Sequence, residues 1–357
     1  MALAHHSLED RGGAARRAAC GALLGSLLVL LGACSNKAGV GTTTTTKPTA
    51  KPTTTGVPKP PPPAGTIFAV NAGVRGGGPG PGSITAYPPS ATGNARPIMV
   101  ITDGINGPGA VTFDSSGNLW VADSNSIVEY SKADLTKASP TPTVVISSHF
   151  FDNSLDAVAF NQAGDAWAGV GNGGVVEFTK SQLAKSGSPT PVVTIIDDSL
   201  CSIVFDRSGN MWAGSWAPLL ADPGSVFEFT KSQLAKSGSP IPRVTISLSL
   251  APGCRPTFAP SGDLWDASAA GAIEFTKAQL AKSGSLTPRV TINWPFSGED
   301  DVAFDALGDL WAPNGATNAV VEFTKSQLAK SGSPAPARTI SGAATGLNFP
   351  WAVTVEP

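Results

Sequence analysis

Ile203-Val204-Phe205-Asp206-Arg207-Ser208-Gly209-Asn210-Met211-Trp212 is the stretch on which the fold turns. Its pattern, apolar-x-Phe-x-x-x-Gly-Asn/Asp-x-Trp, returns at residues 111–120, 158–167, 256–265 and 302–311, with the tryptophans 45 to 53 residues apart. Each copy reads as two short strands joined by a tight turn, because Gly-Asn and Gly-Asp tolerate the positive φ that a hairpin demands. A third strand follows in each unit: Ile127-Val128-Glu129-Tyr130, Val175-Val176-Glu177-Phe178, Val226-Phe227-Glu228-Phe229, Ala272-Ile273-Glu274-Phe275 and Val320-Val321-Glu322-Phe323. The fourth is a proline-flanked run typified by Pro191-Val192-Val193-Thr194-Ile195. Four strands per unit at this period predict the blades of a β-propeller.

The link between third and fourth strands is nearly copied from unit to unit, as in Thr179-Lys180-Ser181-Gln182-Leu183-Ala184-Lys185-Ser186-Gly187-Ser188-Pro189. Thr179 and Gln182 have capping-box spacing and Gly187 suits a stop, so the link reads as one or two helical turns of scaffold.

The chain ends supply the blade count. Ala352-Val353-Thr354-Val355 matches only a first strand, whereas Ile67-Phe68-Ala69-Val70, Ser83-Ile84-Thr85-Ala86-Tyr87 and Pro97-Ile98-Met99-Val100-Ile101 match a second, third and fourth. Joined, they make a sixth blade from both termini and remove two open edges. The expected fold is therefore all-β, a six-bladed propeller over residues 65–357.

Before it, Arg16 and Arg17 precede an apolar run over residues 18–31 that ends at Leu31-Gly32-Ala33-Cys34. The run is short for a bilayer span and reads as a signal peptide over residues 1–33. The tetrapeptide resembles the lipobox of bacterial lipoproteins, which implies that Cys34 becomes the acylated N-terminus, carrying chains such as palmitate. Two or more chains would hold the protein stably on a membrane. Residues 34–64 carry this anchor and a Thr- and Pro-rich stretch, with Thr42 to Thr46 in one row and Pro60 to Pro63 in another. It cannot bury enough apolar surface to fold and reads as a disordered, semi-rigid stalk. Export to the bacterial cell membrane or outer membrane is the expected localisation.

Charge is balanced, with 24 Lys and Arg against 26 Asp and Glu. No clustered basic face is legible, so nucleic acid is not an expected partner. A monomer is expected.

Ala157-Val158-Ala159-Phe160, Asp206-Arg207-Ser208-Gly209-Asn210-Met211-Trp212 and Asp305-Ala306-Leu307-Gly308-Asp309-Leu310-Trp311 make the chain resemble NHL-repeat and gluconolactonase/regucalcin-like six-bladed propellers. The resemblance implies architecture and leaves function open, since these propellers include enzymes, sensors and scaffolds. In the gluconolactonase-like enzymes, metal ligands stand four positions before the aromatic or apolar residue of the innermost strand. Those positions here are Gly109, Asp156, Cys201, Cys254, Asp300 and Trp351. Asp156 and Asp300 come from opposite units. They could hold Ca²⁺ or another divalent ion, or cap strand starts by accepting backbone N–H groups. Cys201 and Cys254 stand at equivalent places in neighbouring units. A disulfide is the first expectation in an exported protein, with a Cys–Asp metal cluster or two inert thiols as the alternatives.

No nucleophile system is evident. His149 is the single histidine beyond the signal region, and no Gly-x-Ser-x-Gly elbow is present. Streptogramin lyase is a similar propeller, but it uses a catalytic histidine and glutamate.

The remaining links vary sharply and hold large apolar residues, so Phe150, Phe151, Trp216, Leu219, Trp294, Phe296 and Trp351 form the expected recognition face for a protein, peptide or glycan, the alternative being that the aromatics fold back to plug the channel mouth. The expected function is that of a cell-envelope binding or scaffold lipoprotein. The alternative is a metal-dependent hydrolase of the lactonase type.

Overall fold

Six four-stranded blades surround a central channel. The computed structural model describes residues 60–73, 81–151, 155–170, 174–197, 200–215, 224–248, 254–268, 271–295 and 301–357. The signal peptide, Cys34 and nearly all of the stalk lie outside the described residues.

Blade one comprises Pro108–Phe113, Leu119–Asp123, Ser126–Tyr130 and Val144–Ser147. Blade two runs through Leu155–Phe160, Ala166–Val170, Gly174–Phe178 and Val193–Ile195, and blade three through Leu200–Phe205, Met211–Ser215, Ser225–Phe229 and Val244–Ser247. Arg255–Phe258, Leu264–Ser268, Gly271–Phe275 and Val290–Ile292 make blade four. Ala303–Phe304, Leu310–Asn314, Ala319–Phe323 and Arg338–Ser341 make blade five. Blade six has the strand order Pro350–Val355, Ile67–Asn71, Ser83–Tyr87, Met99–Ile101. The C-terminal strand thus pairs antiparallel with the first N-terminal one, Ile67 opposite Val355 and Val70 opposite Ala352. The Gly65 and Glu356 backbone N–H groups extend that seam.

Local chemistry explains the repeated phrase. Gly117, Gly164, Gly209, Gly262 and Gly308 take φ between 80° and 88°, which a side chain would oppose. Asp206 Oδ1 accepts the backbone N–H groups of Ser208 and Asn210, and its Oδ2 accepts the Trp212 indole N–H at 3.3 Å. Asp114 and Asp305 hold Trp120 and Trp311 in the same way. Four of the five tryptophans then meet the phenylalanine ending the next blade's first strand: Trp120 with Phe160, Trp167 with Phe205, Trp212 with Phe258 and Trp265 with Phe304, ring centres 5.4 to 6.1 Å apart. The core is accordingly divided into six clusters, one at each interface between blades.

The copied link is a single turn of 3₁₀ helix. Thr179 and Gln182 exchange capping-box bonds, Thr179 N–H to Gln182 Oε1 at 2.8 Å and Gln182 N–H to Thr179 Oγ1 at 3.3 Å. Its Ser-Gly pair has a second duty that the sequence reading did not foresee. Gly187, Gly238, Gly284 and Gly332 bridge in parallel to Ile146, Ile195, Ile246 and Ile292 of the preceding blade. The serine hydroxyl beside each accepts a further backbone N–H, as Ser186 does from Val145. The link therefore staples neighbouring blades, which accounts for its near-identity. Among the described residues, no helix is long and apolar enough to cross a membrane.

Candidate functional site

The first strands of blades six, one, two, three and four run past one another around the axis. The positions four residues before the closing aromatic or apolar residue of these strands are held by Gly109, Asp156, Cys201, Cys254 and Trp351; Asp300 lies outside the described residues. The dominant side chain there is one the sequence reading passed over. Arg255, one residue beyond Cys254, is only 3% exposed. Its Nη1 donates to Asp301 Oδ2 at 2.9 Å and to the Asp156 main-chain oxygen at 3.2 Å. Its guanidinium carbon lies 5.6 Å from the Trp351 ring centre. One cation thereby ties blade four to blades two, five and six. The available signal was its place in the repeat, where blades one, two and six have Ala110, Ala157 and Ala352.

Two acids, Asp156 and Asp301, flank it, and a third, Asp266, feels the charge of Asp301. Burial raises the Asp156 carboxyl above the ordinary aspartate range; Arg255 opposes the rise and Asp301 adds to it. Burial likewise raises Asp301, with Arg255 opposing. Asp266, on the second strand of blade four, is pushed up to about 8 by burial and then by the charge of Asp301, and its Oδ2 has no hydrogen-bond partner. At Asp156 a guanidinium already supplies positive charge, and a divalent cation beside it would be repelled, so the described residues do not fit a divalent-metal site there; Asp300 lies outside them. No step through a metal follows.

Asp266 occupies a place held by Val121, Ala168, Ala213 and Ala312 in other blades. It is protonated on folding between the ordinary aspartate value and about 8, so its contribution to stability falls as pH rises through that window. Asp266→Ala is expected to remove this slope and to stabilise the protein by about 2 kcal/mol or more at pH 8, with a smaller gain at pH 5. Urea unfolding at the two pH values measures it; equal gains at both would refute the assignment.

Cys201 and Cys254 are buried and paired, with Cα atoms 6.0 Å apart. Gly214 permits this approach of blades three and four, since a Cβ there would meet the Cys254 carbonyl oxygen at 2.0 Å.

The expected recognition residues divide. Phe151 is fully buried, edge-on to Phe178 at 5.9 Å in the core between blades one and two, and has no surface to offer a partner. The physical reason is that its apolar ring gains more from the apolar core between blades one and two than from water. Phe150 is half-buried against the His149 ring. Trp294 is half-buried, edge-on to Phe323 between blades four and five. Trp351 is half-buried beneath Arg255. Trp216, Leu219 and Phe296 lie outside the described residues.

Phe349 was absent from the expected set. It takes φ 51°, one of two non-glycine residues with positive φ among those described, and its N–H donates to Oδ1 of the other, Asn318, at 2.6 Å. Its ring lies 6.3 Å from that of Trp351. No sequence signal announces a strained phenylalanine, because its conformation is imposed by a loop of the neighbouring blade.

A further acidic group, Asp305, Asp309 and Glu322, is already committed to structure. Asp305 accepts the Trp311 indole, Asp309 accepts the Lys325 backbone N–H at 2.6 Å, and Glu322 is gripped by Arg338.

Fold and channel together define a six-bladed β-propeller closed by both chain ends. Scans of protein-family models and of curated proteins return no match. Among solved structures, a protein of unknown function from Bacteroides caccae is similar, at 12% identity over 82% of this chain and 99% of that one, with a TM-score of 0.54. A chain of a nidogen/laminin complex is similar at 13% identity, 82% and 99% coverage and a TM-score of 0.53. A streptogramin B lyase structure matches at 12% identity, 81% and 91% coverage and a TM-score of 0.47. The first two show the fold alone.

Proposed function

We propose that this propeller is the binding module of a cell-envelope lipoprotein and takes a protein, peptide or glycan on the face of its variable loops. The observation that carries the reading is the Asn318–Phe349–Trp351–Arg255 chain. Backbone strain persists only where surrounding contacts over-determine it, and such positions cluster where ligands are gripped. Here it holds the half-buried Phe349 ring beside the half-buried Trp351, aromatic types that anchor interfaces, with Arg255 buried behind them as support. Cys201 and Cys254, joined as a disulfide, would brace the same ring. That a propeller of the same fold comes from a nidogen/laminin complex supports binding as the use of the fold.

Cys34 anchors the module and residues 35–64 hold it away from the membrane in this reading. Cys34→Ser is expected to move the protein from the membrane to the soluble fraction; retention on the membrane would refute the anchor.

Binding is tested by capture from envelope extracts and on a glycan array with wild-type ectodomain, Phe349→Ala, and Phe349→Ala with Trp351→Ala. Saturable capture that falls at least about tenfold in the variants, with unchanged melting temperature, supports the reading. Equal capture by all three, or none by wild type, overturns it.

A further inference from the structure

The cavities between blades lie on the opposite face, among the uniform turns, and they repeat. Between blades three and four a cavity of about 270 Å³ is lined by Trp212, Glu228, Arg243 and Lys277. Between blades four and five the equivalents Trp265, Glu274, Arg289 and Lys325 line about 410 Å³. In both, the arginine just before the fourth strand pairs with the buried third-strand glutamate, Arg243 with Glu228 and Arg289 with Glu274. Blade five does the same from one residue further on, with Arg338 on Glu322.

Blade two has the cavity without the arginine. About 220 Å³ between blades two and three is lined by Trp167, Glu177, Val193, Phe205 and Lys231, room for about seven waters. Val192 stands where Arg243 and Arg289 stand in the other blades, and its side chain points away from burial at 49% exposure. Glu177 is half-exposed, unlike Glu228, Glu274 and Glu322, and makes no ion pair among the described residues. Burial and Asp165 raise it to about 6 with no cation to offset them. Asn161 replaces the aspartate that accepts the tryptophan indole in blades one, three and five. Trp167 Nε1 is thus buried and approaches Glu177 without reaching hydrogen-bond geometry. Blade one also lacks the arginine, with Thr143 in its place, but Glu129 there is closed off from solvent.

We propose that the cavity between blades two and three is a receptor for a guanidinium group, the arginine side chain of a peptide partner, which completes the ion pair that Arg243, Arg289 and Arg338 complete from within their own blades. The three internal pairs are the template for its occupant. Lys231 from blade three lines this cavity as Lys277 and Lys325 line those that hold Arg243 and Arg289, so a lysine at this place coexists with the arginine–glutamate pair, and Glu177 is the one carboxylate among the described lining residues. A planar fork of donors matches a carboxylate better than an ammonium does. The site is on the face opposite the variable loops and does not depend on the function proposed above.

The test is titration of the ¹⁵N-tryptophan-labelled ectodomain with acetyl-arginine amide, its neutral isostere acetyl-citrulline amide, and acetyl-lysine amide. The indole signal is assigned by Trp167→Phe. Arginine should shift the Trp167 signal saturably, lysine more weakly, and citrulline not at all. Glu177→Gln should weaken arginine at least about tenfold. Val192→Arg should pair with Glu177 from within the blade and abolish the shift, with the melting temperature held or raised. An equal response to citrulline, full arginine affinity in folded Val192→Arg, or no saturable shift in wild type would each overturn the proposal.

Discussion

Deleting residues 348–357 is expected to abolish cooperative folding of the propeller. The strand Pro350–Val355 supplies the inner edge of blade six and buries Ala352 and Val353 on either side of it. Its loss uncovers Ile67, Phe68, Ala69 and Val70, all fully buried, and each large one costs about 1.5–3 kcal/mol to expose. The ring would also lose the Tyr87 hydroxyl bond to the Thr345 carbonyl as the preceding loop frays. Against a total stability of about 5–15 kcal/mol for a domain, that loss is decisive. The exposed edge of Ile67–Asn71 would then recruit other chains. Thermal unfolding followed by circular dichroism should lose its sharp transition, and size exclusion should show aggregates. A synthetic peptide covering residues 348–357, added in trans, should restore the transition. A truncated chain that melts as sharply as the full one would show that the seam does not hold the ring.

Arg255→Met is expected to cost about 3–5 kcal/mol, the usual loss when one partner of a buried ion pair is removed and the other is left charged. Asp301 would lose its partner at 2.9 Å, and Asp156 would lose the positive charge that opposes the effect of its burial. The loss should depend on pH in a definite direction. Asp156 and Asp301 already have folded-state values above their unfolded ones, so their contribution falls as pH rises from the unfolded value through the folded one. Without Arg255 those folded values climb further, the window widens upward, and the variant should be penalised more at pH 8 than at pH 5. Arg255→Met with Asp301→Asn should recover much of the loss, because it removes the stranded charge as well. Chemical unfolding of the two single variants and the double variant measures the coupling. Additive losses would mean that the pair is not coupled.

The uniform turns show how far a sequence reading reaches. Gly209-Asn210 and the Trp212 that follows satisfy needs set within a few residues, so the hairpin was legible without any neighbour. The sixth blade was legible for a related reason: Ala352-Val353-Thr354-Val355 could be recognised as a first strand by comparison with five complete copies. The surroundings of Asp156 were not legible. Arg255 reaches it from 99 residues away, and that distance is spanned only once the ring has closed. Phe151 and Phe349 show the same division. One looked like a loop aromatic and is core; the other looked unremarkable and is held in strain by Asn318.

What this sequence determined alone is its repeat: backbone turns, alternating strands and capping bonds are local, and five copies made the period and the missing strand visible. Closure of the ring decided which charges meet, which aromatics are covered and which inter-blade cavity lacks its arginine. Those outcomes rest on desolvation and Coulomb energy, which depend on neighbours distant in the chain, and no local pattern of residues encodes them.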